Sequence, residues 1–260
     1  MARSVASVRT SASARFRSRA QSYALRYPSG ASNYVGLGSN TLFDSTKPWA
    51  ISFWANLEQY YKTGQTTAQG LFSFKTDQGV PFVIYMQSTT GNPGINMGGN
   101  SAFACSRPNN PRQFITKAGS GAHLITIRFD GVDRASTSSY KLSVDGTDFS
   151  LITGTTPSAT NHVNTIGVLG VSFSGRGIIG PVWIWNGGTA MTDQQLLDFY
   201  NNQALPSGPT FLRYYPHSNG SGTQLTETVA GDHGTLNGTV SWTTSLVVDR
   251  SVASVRNTVT

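Results

Sequence analysis

The sequence is poor in the residues that build disulfide frameworks and long helices. Cys105 is the only cysteine among 260 residues, so no disulfide can form within the chain and no cysteine cluster can hold a metal. Glutamate occurs only at Glu58 and Glu227, whereas glycine occurs 28 times. This balance favours strands and turns over helices. A chain of 260 residues is long enough to bury the core of one large all-β domain.

Long apolar runs are also missing. No stretch reaches the ~18 consecutive apolar residues that a membrane helix requires. The first residues hold arginine and serine but no continuous apolar run, so we detect no secretion signal. Transit peptides share an acid-free, arginine-rich start, but here the same residues recur near the other end of the chain, which favours an interaction segment. We therefore predict neither membrane insertion nor secretion.

Sets of catalytic residues are missing as well. Glycoside hydrolysis usually needs two carboxylates that flank the bond, and the sequence has no cluster such as E-x-D-x-x-E. The histidines His123, His162, His217 and His233 lie outside any G-x-S-x-G motif, although residue types alone leave a Ser–His–Asp set open. No zinc spacing, phosphate loop or dinucleotide fingerprint is present. We predict that the protein is not an enzyme.

Positive charge is concentrated at the two ends of the chain. Residues 1–26 contain six arginines and no acid, and residues 250–260 contain two arginines and no acid. Residues 27–249 have 11 basic and 12 acidic residues and are nearly neutral. We predict an N-terminal arm (1–26), a folded body (27–246) and a basic tail (247–260). The candidate partner-anchoring residues are Arg3, Arg9, Arg15, Arg17, Arg19, Arg26, Arg250 and Arg256.

The two ends also share a sequence, which we call the terminal heptapeptide. Residues 3–9 and residues 250–256 both read RSVASVR. Seven identical residues are hard to obtain by chance, even in segments rich in serine and alanine. One interpretation is low-complexity drift without a role. The other is that both ends dock into equivalent grooves on a repeated partner, for example by adding an extended segment to a sheet edge.

Short runs of alternating apolar residues, closed by glycine, proline, asparagine or aspartate, fill the body and predict strands. The predicted strands are 33–38, 50–57, 70–75, 81–87, 123–130, 140–144, 164–169 and 180–185. Only one segment has a helical pattern. Thr192 and Gln195 match a capping box, an apolar stripe follows them, and Pro206 lies beyond its end. This pattern predicts one short helix over 192–200.

Five segments resemble strands of laminin-G-like and pentraxin-like domains of the concanavalin A-like superfamily, and they occur in the same order. They are WAISFW (49–54), HLITIRFDG (123–131), YKLSVDG (140–146), 179–201 and GDHGTLNGTVSW (231–242). The resemblance implies an all-β fold: a two-sheet antiparallel jelly-roll sandwich with one short helix. It also implies that the first and last strands pair, which would bring 33–38 near 239–243 and place both basic ends at one pole.

The resemblance raises the question of calcium, because many relatives bind it. The strand where relatives often carry an acidic pair reads Gly180-Pro181 here. The remaining scattered calcium candidates are Asp130, Asp145, Asp148 and Asp232. A calcium ion needs six to eight oxygen ligands, whereas aspartate is also common in turns for structural reasons. We therefore expect no cofactor, with calcium as the one candidate.

Trp183 and Trp185 are candidate glycan-binding residues. They are two positions apart in a predicted strand and therefore share one face of the sheet. Sugar sites combine aromatic faces with a few polar groups. The alternative is that both rings pack under the helix predicted at 192–200.

Together these features predict a non-enzymatic structural protein of a virion, such as a phage particle. Its basic ends would bind capsid or other virion proteins in an oligomer or lattice, as in a decoration, cement or head-fibre-like protein. The sandwich would face solvent and contact host glycans. Two alternatives remain open: a carbohydrate-binding lectin module, and a nucleic-acid-binding coat protein whose Arg15, Arg17 and Arg19 contact phosphates. Six arm charges would neutralise little packaged nucleic acid, so we expect a protein partner.

Overall fold

The computed structural model describes residues 23–28, 32–38, 44, 46–57, 69–75, 81–86, 93–97, 105–108, 122–133, 136–149, 151–154, 164–169, 173–174, 177–202 and 204–244. In this part of the chain most residues lie in antiparallel strands, which form two large sheets and one small two-stranded sheet. A single α-helix and one 3-10 helix (Thr137–Ser139) complete the elements of these described ranges.

The first sheet has eight strands. They are β1 (Ala24–Tyr27), β3 (Trp49–Leu57), β8 (His123–Phe129), β9 (Tyr140–Val144), β10 (Thr147–Phe149), β15 (Gly177–Gly188), β16 (Pro209–Tyr215) and β19 (Ser241–Thr243). Their order is β10-β9-β8-β3-β15-β1-β19, and β16 pairs with the second half of β15. β1 and β19, close to the two ends of the chain, therefore form one edge of this sheet.

The second sheet has nine strands. They are β2 (Val35–Gly36), β4 (Gln69–Lys75), β5 (Pro81–Met86), β6 (Pro93–Met97), β7 (Cys105–Pro108), β11 (Leu151–Gly154), β12 (Thr165–Ile166), β17 (Gln224–Leu225) and β18 (Gly234–Leu236). Their order is β11-β7-β6-β5-β4-β12-β2-β18-β17. The small third sheet pairs β13 (Val168–Leu169) with β14 (Phe173–Ser174).

The main core lies between the two large sheets. The alternating pattern of β3 sends Ile51 and Phe53 inward, and both are fully buried. The ring of Phe53 meets the ring of Phe72 from β4, with the centroids 4.5 Å apart. Two antiparallel sheets packed face to face confirm the predicted all-β, jelly-roll-type sandwich.

A helix covers the outer face of the first sheet and forms a partial third layer. α1 (Asp193–Asn202) begins after a capping box, in which the Gln195 N–H donates to Thr192 Oγ1 at 3.2 Å. The Thr192 N–H in turn donates to Gln195 Oε1 at 2.9 Å. Leu196 and Phe199 are buried against the sheet. The short helix predicted from the capping box is thus confirmed. Among the described residues, no helix has the length and apolar character needed to span a membrane.

Most predicted strands coincide with observed ones, and the main difference lies near the N-terminus. β1 is four residues long, with Ala24, Leu25 and Tyr27 buried and Arg26 exposed. The sheet therefore begins inside the segment predicted as the arm (1–26), and the predicted strand at 33–38 is reduced to the two residues of β2. One alternation of four residues beside an arginine-rich run is too short to stand out as a strand in the sequence.

Candidate functional site

The two ends of the described chain meet at one edge of the first sheet. β1 pairs antiparallel with β19, with Ala24 opposite Thr243 and Leu25 opposite Trp242. Opposite Cα atoms in such a pair lie about 5 Å apart, so the chain before Ala24 and the chain after Thr243 start side by side. We call this region the terminal pole: residues 23–24, residues 242–243 and the loop 216–223 that packs on them. The strand that pairs with the last one is therefore β1 and not the predicted strand 33–38, because β2 pairs with β12 and β18 instead.

The segment 33–38, which was predicted to lie near 239–243, contacts it through Asn33. The Thr239 N–H and hydroxyl both donate to Asn33 Oδ1, at 2.8 and 3.0 Å. Asn33 itself is buried, and its amide also donates to the Pro28 carbonyl at 3.2 Å. The segment that follows β1 is thus connected to the segment that precedes β19, which fixes the two strands relative to each other.

Burial holds β1 in the sheet. The strand lies between β15 and β19, with Leu25 opposite Ile179 on one side and Trp242 on the other. The Tyr27 ring lies against Gly167, where a Cβ would come within 2.3 Å of the ring carbons. Gly167 also has a φ of +96°, so glycine is required there on both grounds. The starting point of the N-terminal segment is therefore fixed by the core.

The loop 216–223 contacts the chain at both places where the basic segments begin, before β1 and at β19. The Trp242 Nε1–H donates to the Gly222 carbonyl at 2.8 Å, which connects the loop to β19. The Tyr23 ring packs on Gly220, where a Cβ would come within 2.6 Å of Tyr23 Cζ. One loop thus contacts the residue before β1 and the middle residue of β19. These two residues cannot move apart unless the loop moves as well.

His217 lies at the base of this loop and is fully buried. Its Nδ1 is 3.0 Å from the Tyr215 carbonyl oxygen, to which a protonated Nδ1 donates. Its Nε2 is buried and has no hydrogen-bond partner among the described residues. Burial lowers the pKa of His217 to about 4, although the Tyr215 carbonyl opposes this change. The loop therefore packs around a neutral imidazole at neutral pH.

The neighbouring loop is organised by Glu227, which is buried. Its carboxylate accepts from the N–H groups of Tyr214, Val229, Ala230 and Gly231 at 2.6–2.9 Å. Burial raises the pKa of Glu227, but the four backbone donors outweigh it and hold the pKa below its ordinary value. This carboxylate therefore has a structural role: it joins the end of β16 to the chain that leads into β18.

The candidate anchoring arginines are only partly within the described residues. Arg26 lies in β1 with its side chain exposed. The other seven, and both copies of the terminal heptapeptide, lie outside the described residues: Arg3, Arg9, Arg15, Arg17, Arg19, Arg250 and Arg256. The structure thus describes the two points from which the basic segments continue.

The two candidate glycan-binding tryptophans are covered by α1. Trp183 is 6% exposed and Trp185 is 1% exposed. Phe199 of the helix meets both rings edge-on, at centroid distances of 5.1 and 5.3 Å. Of the two alternatives given for these tryptophans, the structure has the one in which both rings pack under the helix, and the helix occupies the face that a sugar ring would need. At the margin of the cluster, Tyr214 stacks on Trp183 at 5.3 Å and Phe211 lies 5.4 Å from Trp185, both half-buried.

Among the four calcium candidates, Asp148 belongs to an ion-pair network under the start of α1. Arg128 donates from Nη2 to both Asp148 oxygens, at 2.7 and 2.8 Å. Its Nη1 donates to Asp193 Oδ1 at 3.0 Å and to the Met191 carbonyl at 3.2 Å. The hydrogen bond from Lys141 and the charge of Arg128 hold the pKa of Asp193 below its ordinary value, although burial opposes them. The network joins the helix to the sheet.

The other three calcium candidates also have structural partners. Asp145 lies 2.7 Å from Nδ1 of His123, and Asp232 accepts from Arg213 at 2.6 Å. Asp130 accepts from the backbone N–H two residues further on, at 2.8 Å. Across the described residues, no group of three or more His, Cys, Asp or Glu side chains is arranged to hold a metal ion. The structure therefore does not bring the four aspartates together as a ligand set.

The contacts of the loop at the terminal pole have no signal in the sequence. Asn219-Gly220-Ser221-Gly222 has the composition of a turn, which the sequence does show. Nothing local indicates that this turn packs on Tyr23 and Trp242. The positive φ of His217, 56°, is likewise unusual for a residue other than glycine and has no signal in the sequence.

Searches of protein families and of curated protein sequences find no match. Similar solved structures include the mouse laminin alpha1 chain, domains LG4-5 (12% identity, TM-score 0.39, covering 62% of this chain and 40% of that chain). Another is a native heptameric SAP-like pentraxin from Limulus polyphemus (9% identity, TM-score 0.45, 88% and 98% covered). A mutant of HCR D/C, a clostridial toxin binding domain, is similar at 11% identity and a TM-score of 0.41, with 70% and 47% covered. This chain spans less than half the length of the laminin and toxin chains, and the similarities concern the fold.

Proposed function

We propose that this chain is a non-enzymatic structural protein of a virus particle, of the decoration, cement or head-fibre type. It attaches through its two basic ends and displays the sandwich to solvent. The observation that carries the proposal is the pairing of β1 with β19, in which Ala24 lies opposite Thr243. Both basic segments continue from this one pole, so both can approach the same partner surface while the rest of the sandwich points away from it.

The distribution of charge supports attachment through the ends. Residues 1–26 have six arginines without an acid, whereas residues 27–249 have 11 basic and 12 acidic residues. A concentrated positive charge on a nearly neutral body accelerates encounter with an acidic surface and orients the body. The partner that fits is an acidic protein surface repeated over a particle.

The contacts of the described titratable residues support a non-enzymatic role. His123 is paired with Asp145 at 2.7 Å, and His217 is buried against the Tyr215 carbonyl. Glu227 accepts four backbone N–H groups, so neither carboxylate oxygen is left without a donor. These groups are hydrogen-bonded within the fold, as buried polar side chains generally are.

The test is to find the chain in particles. Virus particles from the source of this gene are purified on a density gradient and treated with nuclease, and their proteins are identified by mass spectrometry. We expect the chain in the particle fraction after nuclease treatment, and we expect the recombinant chain to sediment with particles stripped of it. Absence from the particle fraction would overturn the proposal. Loss of the chain on nuclease treatment would instead support the nucleic-acid-binding alternative.

Carbohydrate binding is the second candidate, and one observation favours it. Tyr214 and Phe211 are half-buried beside the covered tryptophans, at the edge strand β16. Aromatic faces that remain accessible can stack on sugar rings. A glycan array probed with the whole chain and with Tyr214→Ala tests this candidate. A signal that the substitution removes would support it, and the absence of any glycan signal at high protein concentration would exclude it.

A further inference from the structure

We infer that one chain binds two equivalent sites at once, one through each terminal heptapeptide, and thereby bridges neighbouring copies of an acidic protein in a repeated array. The inference rests on the proposed attachment through the termini. It adds that each chain occupies two sites, and it limits the distance between them. Residues 3–9 and 250–256 have the same sequence, so a site that accepts one accepts the other. A repeated array offers such a site many times.

The structure fixes where both connecting segments start. Ala24 and Thr243 are opposite each other in an antiparallel pair, so their Cα atoms lie about 5 Å apart. Ala24 is fully buried, which holds the N-terminal start in the sheet. The hydrogen bond of 2.8 Å from Trp242 to Gly222 holds the C-terminal start beside it. The two heptapeptides therefore share one origin on the body.

The lengths of the connecting segments limit the distance between the two sites. Counted along the sequence, 15 residue steps separate Arg9 from Ala24, and 7 steps separate Thr243 from Arg250. At about 3.4 Å per residue, the maximal reaches are about 50 Å and about 24 Å. The two sites must then lie within about 75 Å of each other. This distance exceeds the diameter of an average protein domain, so neighbouring subunits of a shell fall within reach.

Two copies of the terminal heptapeptide in one chain bind an array more tightly than a single copy does. A heptapeptide with two arginines makes few contacts, and exposed ion pairs contribute only about 0–1 kcal/mol each. Once one copy is bound, binding of the second becomes intramolecular, which raises the overall affinity by roughly 10²–10⁴-fold. A pair of low-affinity copies with a common origin therefore holds the body on an array, while each copy alone binds a single subunit only briefly.

The composition of the heptapeptide defines the chemistry of its site. Arginines lie at both of its ends, valines lie inside it, and it has no acid. The complementary site has carboxylates for two guanidinium groups and an apolar depression between them. The partner is therefore an acidic protein surface, and polyanions without apolar depressions would not distinguish the heptapeptide from the other arginines of the N-terminal segment.

The test compares three variants of the full chain: R3A/R9A, R250A/R256A and the combination of all four substitutions. Each pair removes two charges from one heptapeptide, outside β1 and β19. The matched control is K47A/K62A, which removes two positive charges from the body, outside both terminal segments. Dissociation from immobilised, stripped particles is measured for each chain, and the thermal midpoint confirms that the body remains folded.

We expect both single-heptapeptide variants to dissociate faster than the unmodified chain, by roughly 10- to 30-fold and to similar extents, because each loses two ion pairs of about 1 kcal/mol. The control should change the rate by less than about threefold, because single charges of the body outside the attaching segments contribute little to binding. An effect of only one heptapeptide would overturn the bridging inference and leave terminal attachment intact, whereas an equal effect of the control would overturn both. If the unmodified chain does not bind particles at all, both the proposed function and the inference fail.

Discussion

The outer face of β15 and the terminal pole were both candidate binding regions, and they differ in whether another element covers them. The outer face of β15 carries Trp183 and Trp185, residues that commonly line ligand sites, but Phe199 of α1 packs on both rings. The terminal pole is defined by strand pairing instead: it brings Ala24 and Thr243 together where two basic segments continue. The first region stabilises the fold, whereas the second orients the segments that we propose to bind.

The difference teaches that aromatic content alone does not identify a site. A tryptophan beside a sheet is available to a ligand only if no other element covers it. Trp185 is 1% exposed because a ten-residue helix lies over it. At the terminal pole, by contrast, the relevant feature is topological: the pairing of strands from opposite ends of the chain. The following predictions separate stability from binding in these two regions.

Trp185→Ala should have the largest effect on stability. The substitution removes a fully buried ring from the layer between α1 and the sheet, so the free energy of unfolding should fall by about 3–5 kcal/mol. Particle binding by the folded fraction should not change. Urea denaturation measures the first quantity, and Val132→Ala, at a site that is 81% exposed, is the control. A loss below about 1 kcal/mol would mean that the tryptophan layer is not part of the stabilising core.

Acid should destabilise the terminal pole through His217. Its pKa falls from 6.5 when unfolded to about 4 when folded, so the unfolded chain binds a proton that the folded chain does not. Its contribution is complete above pH 6.5 and is lost as the pH falls to about 4. The loss should reach roughly 3 kcal/mol. The lowered pKa of Glu227 acts in the same direction at lower pH, because its ordinary value is 4.5.

The variant His217→Asn tests this assignment. Asparagine does not titrate and tolerates the positive φ of 56° at this position. The free energy of unfolding of the unmodified chain and of the variant is measured by denaturant titration at several pH values. We expect the variant to lose most of the dependence on pH between 6.5 and 4. An unchanged slope would place the proton uptake on another group.

Thr192→Ala should have a smaller effect, confined to the covered face. The hydroxyl of Thr192 accepts from the Gln195 N–H at 3.2 Å, and its loss should cost about 1 kcal/mol. Thr192→Ser keeps the hydroxyl and should retain most of the stability. Thermal unfolding measures both variants. Equal stability of the two would show that the capping box does not hold α1 on the tryptophans.

Arg26→Ala should have the smallest effect of this set. Arg26 is exposed and lies within β1, where the pairing with β15 and β19 fixes its position. The free energy of unfolding should change by less than about 0.5 kcal/mol. Dissociation from particles should change far less than for R3A/R9A. If Arg26→Ala weakens binding as much as that variant, the surface of the pole, and not the segments that continue from it, makes the contact.

Much of the fold could be predicted from local patterns. β3 and β8 have alternating runs, and α1 has a reciprocal capping box, so each of these elements can be recognised from residues close in sequence. β16 was missed because it begins with Pro209 and its pairing with β15 contains bulges, which disturb the alternation. β1 was missed because four residues give too little periodicity.

The candidate site could be predicted only in part. The resemblance to a known family implied that 33–38 pairs with the last strand and that both ends lie at one pole, whereas in the structure β1 is the strand that pairs with β19. The packing of Tyr23 on Gly220 and the burial of His217 join residues that are far apart or lack a local signature. The spacing of Trp183 and Trp185 shows that both lie on one face of the sheet, but not whether that face is open. The position of α1, which covers the face, decides this and cannot be predicted from the spacing.

The central claim is that binding resides in the two ends and stability in the body. The direct test is a chain of residues 23–244, because a deletion of all of 1–26 would also remove β1. We predict that this chain keeps its thermal midpoint to within a few degrees, and that its particle affinity falls by more than about a hundredfold. Undiminished particle binding by the folded, truncated chain would contradict the account and assign the contact to the sandwich itself.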